Sequence, residues 1–265
     1  MTDMSEYLQL FDLTDLHAVV VGAGGIGREV ALGLAAHGAR VTVADVDEDA
    51  VRHTADACGG DAARLDVTDA AAVSDFTAAH PAQIVVTTVG INVRKRLADY
   101  SDADFARVLG VNLVGTFNLI RRYGPAMAGL GGGSFIAFTS IRATTVEPGQ
   151  GAYAATKAGM QQLLRTAAAE FGPDGVRFNA IAPGVVDTPL TTQIRSDPAW
   201  GDAYAAKSAL GRWADPGEMV GAAVFLASDA ASYVTGSVLY VDGGWTAVDG
   251  RFDPFAAHSG EPSLY

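Results

Sequence analysis

The chain has 265 residues, of which 49% are hydrophobic and 18% are charged, and its formal net charge is -12. This length and composition fit one α/β domain with a sizeable core and exclude global disorder. The negative charge excludes nucleic acid as an expected partner, because nucleic-acid binders usually carry the opposite sign.

Cysteine usage and the first residues bear on cellular location. The single cysteine, Cys58, excludes a disulfide framework and suits a reducing compartment. The opening stretch, MTDMSEYLQLFDLTD, carries acidic residues and lacks the apolar run of a signal peptide. No run approaches the length needed to cross a bilayer. We therefore expect a cytoplasmic protein with no membrane partner.

Strand-like and helix-like patterns alternate along the whole chain. Strands are predicted at 17–22, 39–45, 63–67, 83–90, 132–140, 176–183 and 237–243. Helices are predicted at 25–37, 47–58, 68–80, 101–127, 151–172 and 216–228. This alternation predicts an α/β fold with a doubly wound, seven-stranded parallel sheet and helices on both faces. With no boundary that splits the chain, residues 1–265 are predicted to form a single domain.

A glycine-rich turn follows the first strand. Its spacing fits G-x-G-x-x-G through Gly22, Gly24 and Gly27, and G-x-x-G-x-G through Gly22, Gly25 and Gly27. Either spacing lets the backbone at a helix N-terminus approach a pyrophosphate. Small residues also occur in such turns for packing alone. The turn lies between a predicted strand and a predicted helix, which is the context that dinucleotide binding requires.

Two acidic residues lie at the ends of the next two strands. Asp45 ends the second strand, at the distance from the turn expected for a carboxylate that binds the adenosine ribose. Such a carboxylate repels a 2′-phosphate, so we expect NAD rather than NADP. Asp66, in RLDVTD, is a candidate to meet the adenine edge. An ordinary role at the end of a strand is the alternative for both residues.

Four polar side chains are candidates for the chemistry. Tyr153 is the only one of the eight tyrosines with a lysine, Lys157, four residues later, so phenol and ammonium share a helix face. A neighbouring cation lowers a tyrosine pKa, which predicts a general acid/base. Ser140 ends the fifth strand, where a hydroxyl can hold a substrate oxygen. Asn112, in LGVNLVGTF, is a candidate to hold a water that links Lys157 to solvent. Each residue alone also fits a purely structural role.

Basic side chains follow the fourth and fifth strands. Arg94, Lys95 and Arg96 are consecutive, and Arg142 lies two residues after Ser140. Arg94 and Arg142 are candidate substrate-binding residues, because positive charge at the site attracts an anionic or highly hydroxylated substrate. A salt bridge between subunits or a solvated surface is the alternative.

Two segments lack a regular pattern. The polar, proline-containing segment 185–215 follows the sixth strand, at the sheet edge where ligands bind, and is predicted to be a substrate lid. The C-terminal tail, 246–265, has no regular period. Two interpretations of this tail stay open, namely contact with a neighbouring subunit and fraying at the end of the chain. We expect no metal site.

The chain resembles the short-chain dehydrogenase/reductase superfamily, in its compact single-domain branch. The resemblance is carried by the glycine turn, LDVTD, VNLVGTF, FTS, YAATK, NAIAPGVVDTP and TGSVLYVDGG. It implies a Rossmann-like fold, a homotetramer and hydride transfer between NAD and a small hydroxylated substrate. Tyr153 is then the catalytic acid/base, Ser140 orients the substrate oxygen, Lys157 binds the nicotinamide ribose and lowers the Tyr153 pKa, and Asn112 completes a proton relay. The implied cofactor-binding set is Gly22, Gly24, Gly25, Ile26, Gly27, Asp45, Asp66, Val67, Gly90, Tyr153, Lys157, Pro183, Gly184, Val186 and Thr188.

The sequence departs from the superfamily pattern at two places. The usual turn is T-G-x-x-x-G-x-G, whereas here Val21 replaces the threonine and the turn is one residue shorter. The resemblance favours Gly22, Gly25 and Gly27 as the three defining glycines. After the fourth strand, TTVG replaces the usual Asn-Asn-Ala-Gly, and we expect threonine hydroxyls to substitute for the asparagine that ties the strands together.

The substrate is indicated by shorter similarities. LFDLTD, GINVRKRL and DGGWTAVDG are similar to segments of members that oxidise sugars and polyols, such as gluconate 5-dehydrogenase-like proteins. We therefore expect oxidation of a secondary alcohol of a sugar, polyol or sugar acid. The alternatives are a reductase of 3-oxoacyl thioesters or of other ketones, including steroid-type ketones, and a dinucleotide-binding sensor or scaffold without catalysis.

Overall fold

A computed structural model describes residue 7 and residues 9–248 of the chain. Within them, seven strands form one sheet in the order β3-β2-β1-β4-β5-β6-β7, and every neighbouring pair is parallel. The predicted doubly wound, seven-stranded sheet is confirmed. The strands are β1 His17–Val21, β2 Arg40–Asp45, β3 Asp61–Arg64, β4 Ile84–Thr87, β5 Gly133–Phe138, β6 Val176–Pro183 and β7 Val238–Val241.

Helices cover both faces of the sheet. In the described part of the chain they are α1 Ile26–Ala36, α2 Glu48–Cys58, α3 Ala70–Ala79, α4 Asp102–Leu109, α5 Gly115–Gly129, α6 Gly151–Phe171, α7 Thr192–Arg195, α8 Pro198–Lys207 and α9 Val220–Ala227. No helix among residues 7 and 9–248 combines the length and apolar character that a membrane span needs.

The core forms two layers because successive strand side chains point to opposite faces. Val20 of β1 packs with Leu34 of α1 on one face. Val19 and Val21 pack with Leu164 of α6 on the other face. All five residues of β1 are buried, which explains why this strand has a continuous apolar sequence instead of an alternating one.

The strand order reverses at β1, which is flanked by β2 and β4. In parallel sheets, ligands bind at such a reversal, beyond the carboxyl ends of the strands. The topology therefore brings three stretches to one crevice: the glycine turn after β1, the acidic residue that ends β2, and the segment after β4.

Two predicted elements differ from the structure. The third strand covers 61–64 instead of 63–67, because the Asp66 carboxylate accepts hydrogen bonds from Thr68 N–H and Oγ1–H and closes a turn there. The predicted helix 101–127 is two helices, α4 and α5, joined by a π-helical turn at Gly110–Val114. This turn contains Asn112, the polar residue in an otherwise apolar stretch.

The segment predicted as a lid, 185–215, holds α7 and α8. Its two ends meet through a parallel bridge between Val186 and Ala214. The predicted helix 216–228 begins as a 3₁₀ turn, Pro216–Met219, and continues as α9. Most of the tail predicted at 246–265 lies outside the described residues.

Candidate active site

The glycine turn has two positions that need glycine for backbone conformation and one that needs it for space. Gly22 and Gly25 have φ of 110° and 50°, which side chains other than glycine rarely adopt. A Cβ at Gly27 would lie 1.8 Å from the Gly22 carbonyl oxygen. Gly24 has neither constraint. The structure therefore favours G-x-x-G-x-G, as the resemblance did.

The first turn of α1 fits a pyrophosphate. The helix begins at Ile26, and Gly25, at the N-cap position, supplies no side-chain cap for the first N–H groups. Gly24, Gly25 and Ile26 line a cavity of about 700 Å³. An uncapped helix N-terminus that borders a cavity is a suitable site for an anionic group.

The cavity extends along the carboxyl ends of β2, β1 and β4, and its size is typical of small-molecule sites. A Cβ at Gly24 would meet no atom within 4 Å, so the turn leaves open space for a bound molecule. The cavity is lined by Gly22, Gly24, Gly25, Ile26, Asp45, Val46, Leu65, Asp66, Val67, Thr68, Thr88, Val89, Gly90, Ile91, Arg107, Gly110, Val111, Thr188, Pro189 and Leu190.

Asp45 is held in the cavity wall by backbone amides. Its carboxylate accepts hydrogen bonds from the N–H groups of Ala23 (2.9 Å), Val46 (2.7 Å) and Asp47 (3.2 Å). Asp66 lies in the same wall, and hydrogen bonds from the side chain and backbone of Thr68 lower its pKa. Both predicted acids therefore lie where an adenosine would fit.

Thr88 takes over the link that the missing asparagine provides in the superfamily. Its backbone N–H donates to the Val21 carbonyl at 2.8 Å. Its Oγ1 lies 3.4 Å from the carbonyl oxygens of both Val21 and Gly22. Through these contacts Thr88 ties the end of β4 to the glycine turn.

Tyr153 and Ser140 meet at the carboxyl edge of the sheet. Tyr153 lies in the first turn of α6, and Ser140 follows β5 by two residues. Burial raises the Tyr153 pKa, although a hydrogen bond from Ser140 and the charges of Arg94 and Arg142 act in the opposite direction. We expected a lowered pKa from the pairing with Lys157, and that direction is wrong for this structure because the phenol is buried.

Lys157 lies beside Tyr153 but donates its hydrogen bond elsewhere. Its Nζ is 5.6 Å from the centre of the Tyr153 ring and donates to the Phe138 carbonyl at 2.8 Å. Burial lowers the Lys157 pKa to about 8. A Cβ at Gly90 would lie 3.3 Å from the Lys157 Nζ, so Gly90 joins the cavity to this cluster.

Asn112 holds the backbone that follows β4. Its Oδ1 accepts from Ile91 N–H at 2.8 Å, and its Nδ2 donates to Ile91 O at 3.0 Å and to Thr156 Oγ1 at 3.1 Å. Both N–H groups of the amide are therefore occupied. The side chain is completely buried and ties the π-helical turn to α6 and to the segment beside Gly90.

A charged cluster next to Tyr153 joins the predicted Arg94 and Arg142 to Glu147 and Tyr204, which sequence reasoning missed. Arg94 and Arg142 both contact the Glu147 carboxylate, at 3.0 Å and 2.6 Å. Tyr204 of α8 donates to the same carboxylate at 2.5 Å. We call Arg94, Arg142, Glu147 and Tyr204 the arginine–glutamate cluster. Burial opposes ionisation of Glu147, but Tyr204 and Arg142 outweigh it, so the Glu147 pKa is lowered.

Aromatic rings cover the cluster from the segment 185–215 and from the end of the sheet. The Arg142 guanidinium lies 5.4 Å from the Trp245 ring centre, and that of Arg94 lies 5.3 Å from Trp200. Tyr204 packs edge-on against Trp200 and Trp245. One signal in the sequence could have found Glu147, which is the only acidic residue between Ser140 and Tyr153.

The remaining predicted residues are divided between the site and its surroundings. Thr188 lines the cavity, but Pro183, Gly184 and Val186 do not. Lys95 pairs with Asp104 at 2.6 Å, away from the arginine–glutamate cluster. Arg96 is exposed. Arg107, which was not predicted, is the only basic residue in the wall of the described cavity.

Comparison with known proteins gives the family. Residues 21–246 match a family model described as enoyl-(acyl carrier protein) reductase. The chain is 40% identical over 251 residues to a galactitol 2-dehydrogenase (L-tagatose-forming) of Cereibacter sphaeroides, covering 91% of this chain and 99% of the relative. It is 35% identical over 251 residues to a (3R)-3-hydroxyacyl-CoA dehydrogenase of Mus musculus, covering 86% and 95%.

Solved structures agree with the sequence relatives. One is a putative NAD(P)-dependent gluconate 5-dehydrogenase from Beutenbergia cavernae with bound NADP, with a TM-score of 0.85 and 38% identity. The match covers 90% of this chain and all of that one. The fold and family expected from the resemblance are confirmed. The chain belongs to the short-chain dehydrogenase/reductase family of oxidoreductases, which use a nicotinamide dinucleotide.

Proposed function

We propose that the protein oxidises a secondary alcohol of a sugar, polyol or sugar acid to a ketone, with NAD and with Tyr153 as acid/base. The observation that carries this proposal is the grouping of Tyr153 and Lys157 at the dinucleotide cavity: the Lys157 Nζ lies 5.6 Å from the Tyr153 ring centre and beside Gly90 of the cavity wall, and the Ser140 side chain acts on the same phenol. The names of the relatives support the substrate class, since galactitol and gluconate are a polyol and a sugar acid.

Tyr153 and Ser140 handle the substrate hydroxyl. Ser140 Oγ orients the hydroxyl, and Tyr153 removes its proton while the carbon loses a hydride, which leaves a ketone. The nicotinamide supplies the hydride acceptor. Because burial raises the Tyr153 pKa, the phenol is protonated at neutral pH. Oxidation needs the phenolate, so its rate is expected to rise with pH, whereas the reverse reduction uses the protonated phenol.

Lys157 and Asn112 position the groups around the phenol. An ammonium has three N–H donors, and the Phe138 carbonyl occupies one of them, so Lys157 keeps two for the nicotinamide ribose. Asn112 fixes Ile91 beside Gly90. Because both N–H groups of its amide are occupied, a proton relay at Asn112 would not run through them.

The preference for NAD rests on the wall around Asp45. Its carboxylate is fixed by three backbone N–H groups, so a 2′-phosphate there would meet a negative charge. The next residue, Val46, is half exposed and offers no positive charge. The NADP-bound relative shows that cofactor choice varies within the family, and the measurement below includes both cofactors.

A second candidate function is the interconversion of 3-hydroxyacyl and 3-oxoacyl thioesters. The mouse relative and the description of the family model favour it. The partly buried charges of Arg94, Arg142 and Glu147 beside Tyr153 favour the polyol proposal instead, because an acyl chain needs apolar surroundings.

Absorbance of the reduced nicotinamide tests the proposal. Purified protein with NAD or NADP is given sugars, polyols, sugar acids and 3-hydroxyacyl thioesters. We expect NAD reduction by a polyol or sugar substrate, at least about a thousandfold lower in Tyr153→Phe, which lacks the acid/base. Tyr233→Phe, at a fully exposed tyrosine, is the matched control and is expected to retain wild-type activity. Turnover of thioesters alone would establish the second candidate, and turnover of nothing would leave the sensor or scaffold.

We further propose a cytoplasmic homotetramer in which residues 185–215 act as the substrate lid. Exposed Phe105 on α4, Val114 in the π-helical turn and Phe117 on α5 support subunit contacts. The hydrogen bond from Tyr204 to Glu147 supports the lid, since it joins this segment to the proposed substrate site. Sedimentation of the purified protein measures the assembly.

A further inference from the structure

The arginine–glutamate cluster borders the place where the substrate must bind. The charges of Arg94 and Arg142 reach the Tyr153 phenol. The backbone N–H of Arg142 donates to Ser140 Oγ at 3.1 Å. Gln150, one helical turn before Tyr153, donates to Glu147. The cluster therefore lies beside Ser140 and Tyr153, to which it is joined through the Arg142 backbone and the charges of its arginines.

Glu147 changes what the two arginines can bind. Arg94 and Arg142 would attract a carboxylate if they were free, but both already pair with the Glu147 carboxylate, whose side chain is 20% exposed. A substrate carboxylate that approached the arginines would displace Glu147 or meet its charge. The cluster thus carries one net positive charge instead of two, and both of the arginines predicted as an anion site already have a carboxylate partner.

Near the cluster, the buried polar atom that has no hydrogen-bond partner among the described residues is an acceptor. Asn92 joins the cluster through Gln150, to which its Nδ2 donates at 3.1 Å. Its Oδ1 is buried and accepts no hydrogen bond from any described residue. A buried acceptor requires a donor. A substrate hydroxyl can donate to the Asn92 Oδ1, whereas a carboxylate cannot.

We propose that Glu147 is a specificity-determining residue that makes the site select neutral polyols over sugar acids, because it occupies both Arg94 and Arg142 and offsets one of their two positive charges. This inference rests on the proposed polyol-type function and narrows its substrate class. The Coulomb energy between unit charges a few ångströms apart in a partly buried site corresponds to about tenfold or more in binding, so Glu147 is expected to control the preference by at least that factor.

The test compares matched substrates in three variants. The substrates are hexitols and pentitols, each paired with the aldonate of the same stereochemistry, and the measured quantity is the ratio of kcat/KM for aldonate to that for polyol. Glu147→Gln removes the charge and keeps the shape. Tyr204→Phe removes a hydrogen bond from the same carboxylate without changing charge. Glu170→Gln makes the same charge change at an exposed residue on α6, about 25 Å along the helix axis from Tyr153.

Wild type is expected to prefer the polyol of each pair. Glu147→Gln is expected to raise the aldonate-to-polyol ratio by about tenfold or more, mainly through a lower KM for the aldonate, because the two arginines become available. Glu170→Gln is the control and is expected to keep the wild-type ratio within about twofold, whereas Tyr204→Phe keeps the Glu147 charge and is expected to change the ratio less than Glu147→Gln does.

The outcomes of this experiment test the role of Glu147 and the proposed function separately. A wild type that prefers aldonates, or an unchanged ratio in Glu147→Gln, overturns the role of Glu147 and leaves the proposed function intact. A wild type that oxidises neither member of any pair overturns the proposed function. If Glu147→Gln does not fold, the wild-type preference still decides the inference.

Discussion

Lys157 carries a cost in stability that depends on pH and can be measured. The side chain is 3% exposed, and burial lowers its pKa from 10.5 to about 8. The unfolded chain therefore keeps this proton at pH values where the folded chain has released it. Between about pH 8 and 10.5 the unfolded state binds more protons, so the contribution of Lys157 to stability becomes less unfavourable as pH rises.

The two pKa values set the size of the effect. With pKa values of about 8 folded and 10.5 unfolded, linkage gives a penalty of about 3 kcal/mol at pH 7 and about 1 kcal/mol at pH 9.5. Lys157→Met removes the titration altogether. Relative to this variant, the free energy of unfolding of the wild type should therefore rise by about 2 kcal/mol between these pH values. The lost hydrogen bond to Phe138 contributes equally at both pH values and cancels.

Urea unfolding of both proteins at pH 7 and pH 9.5, monitored by circular dichroism, measures this difference. Lys207→Met removes a lysine from an exposed position and is the matched control, with no expected change in the wild-type–variant difference. A difference between wild type and Lys157→Met that stays constant with pH would refute the reasoning, since it would mean that Lys157 keeps an ordinary pKa in the folded protein. Lys157→Met is also expected to lose most activity, because the ribose loses its donors.

Two further predictions concern the dinucleotide site. Gly27→Ala places a Cβ 1.8 Å from the Gly22 carbonyl oxygen, so the turn must shift. Titration calorimetry should show that NAD binding is weakened by about tenfold or more. An unchanged NAD affinity would contradict the assigned turn. Asp45→Asn keeps the shape of the side chain but removes its charge. It should raise the ratio of kcat/KM with NADP to kcat/KM with NAD by about tenfold, as measured by steady-state kinetics with both cofactors. An unchanged ratio would mean that Asp45 does not set cofactor choice.

The fold could be predicted because its signals are local and repeated. Continuous apolar strands such as β1, separated by helical patterns, indicate a parallel sheet, and the sheet has the predicted seven strands. The glycine turn was ambiguous in sequence, because spacing alone does not distinguish Gly24 from Gly25. The structure separates them through backbone conformation, since Gly25 has a positive φ and Gly24 does not.

The candidate site could be predicted only where its residues belong to regular elements. Tyr153 and Lys157 share a face of α6, so their proximity follows from helix geometry. The contact of Glu147 with Tyr204 joins residues 57 positions apart, and it depends on how a loop and α8 pack together. No local pattern determines such packing. The pKa of Tyr153 was mispredicted for a related reason, because burial depends on the whole fold.

The difference between site residues on regular elements and site residues in connecting segments has a chemical consequence. Ser140 and Tyr153 follow a strand and begin a helix, so the backbone of the sheet and α6 fixes their geometry. Glu147 lies in the connection between them, and its partners come from the segment after β4 and from α8. Substitutions at Glu147 therefore alter the substrate contacts without moving the proton-transfer pair. With the roles proposed for these residues, the ends of regular elements set the reaction type, whereas contacts of the connecting segment that holds Glu147 set the choice of substrate.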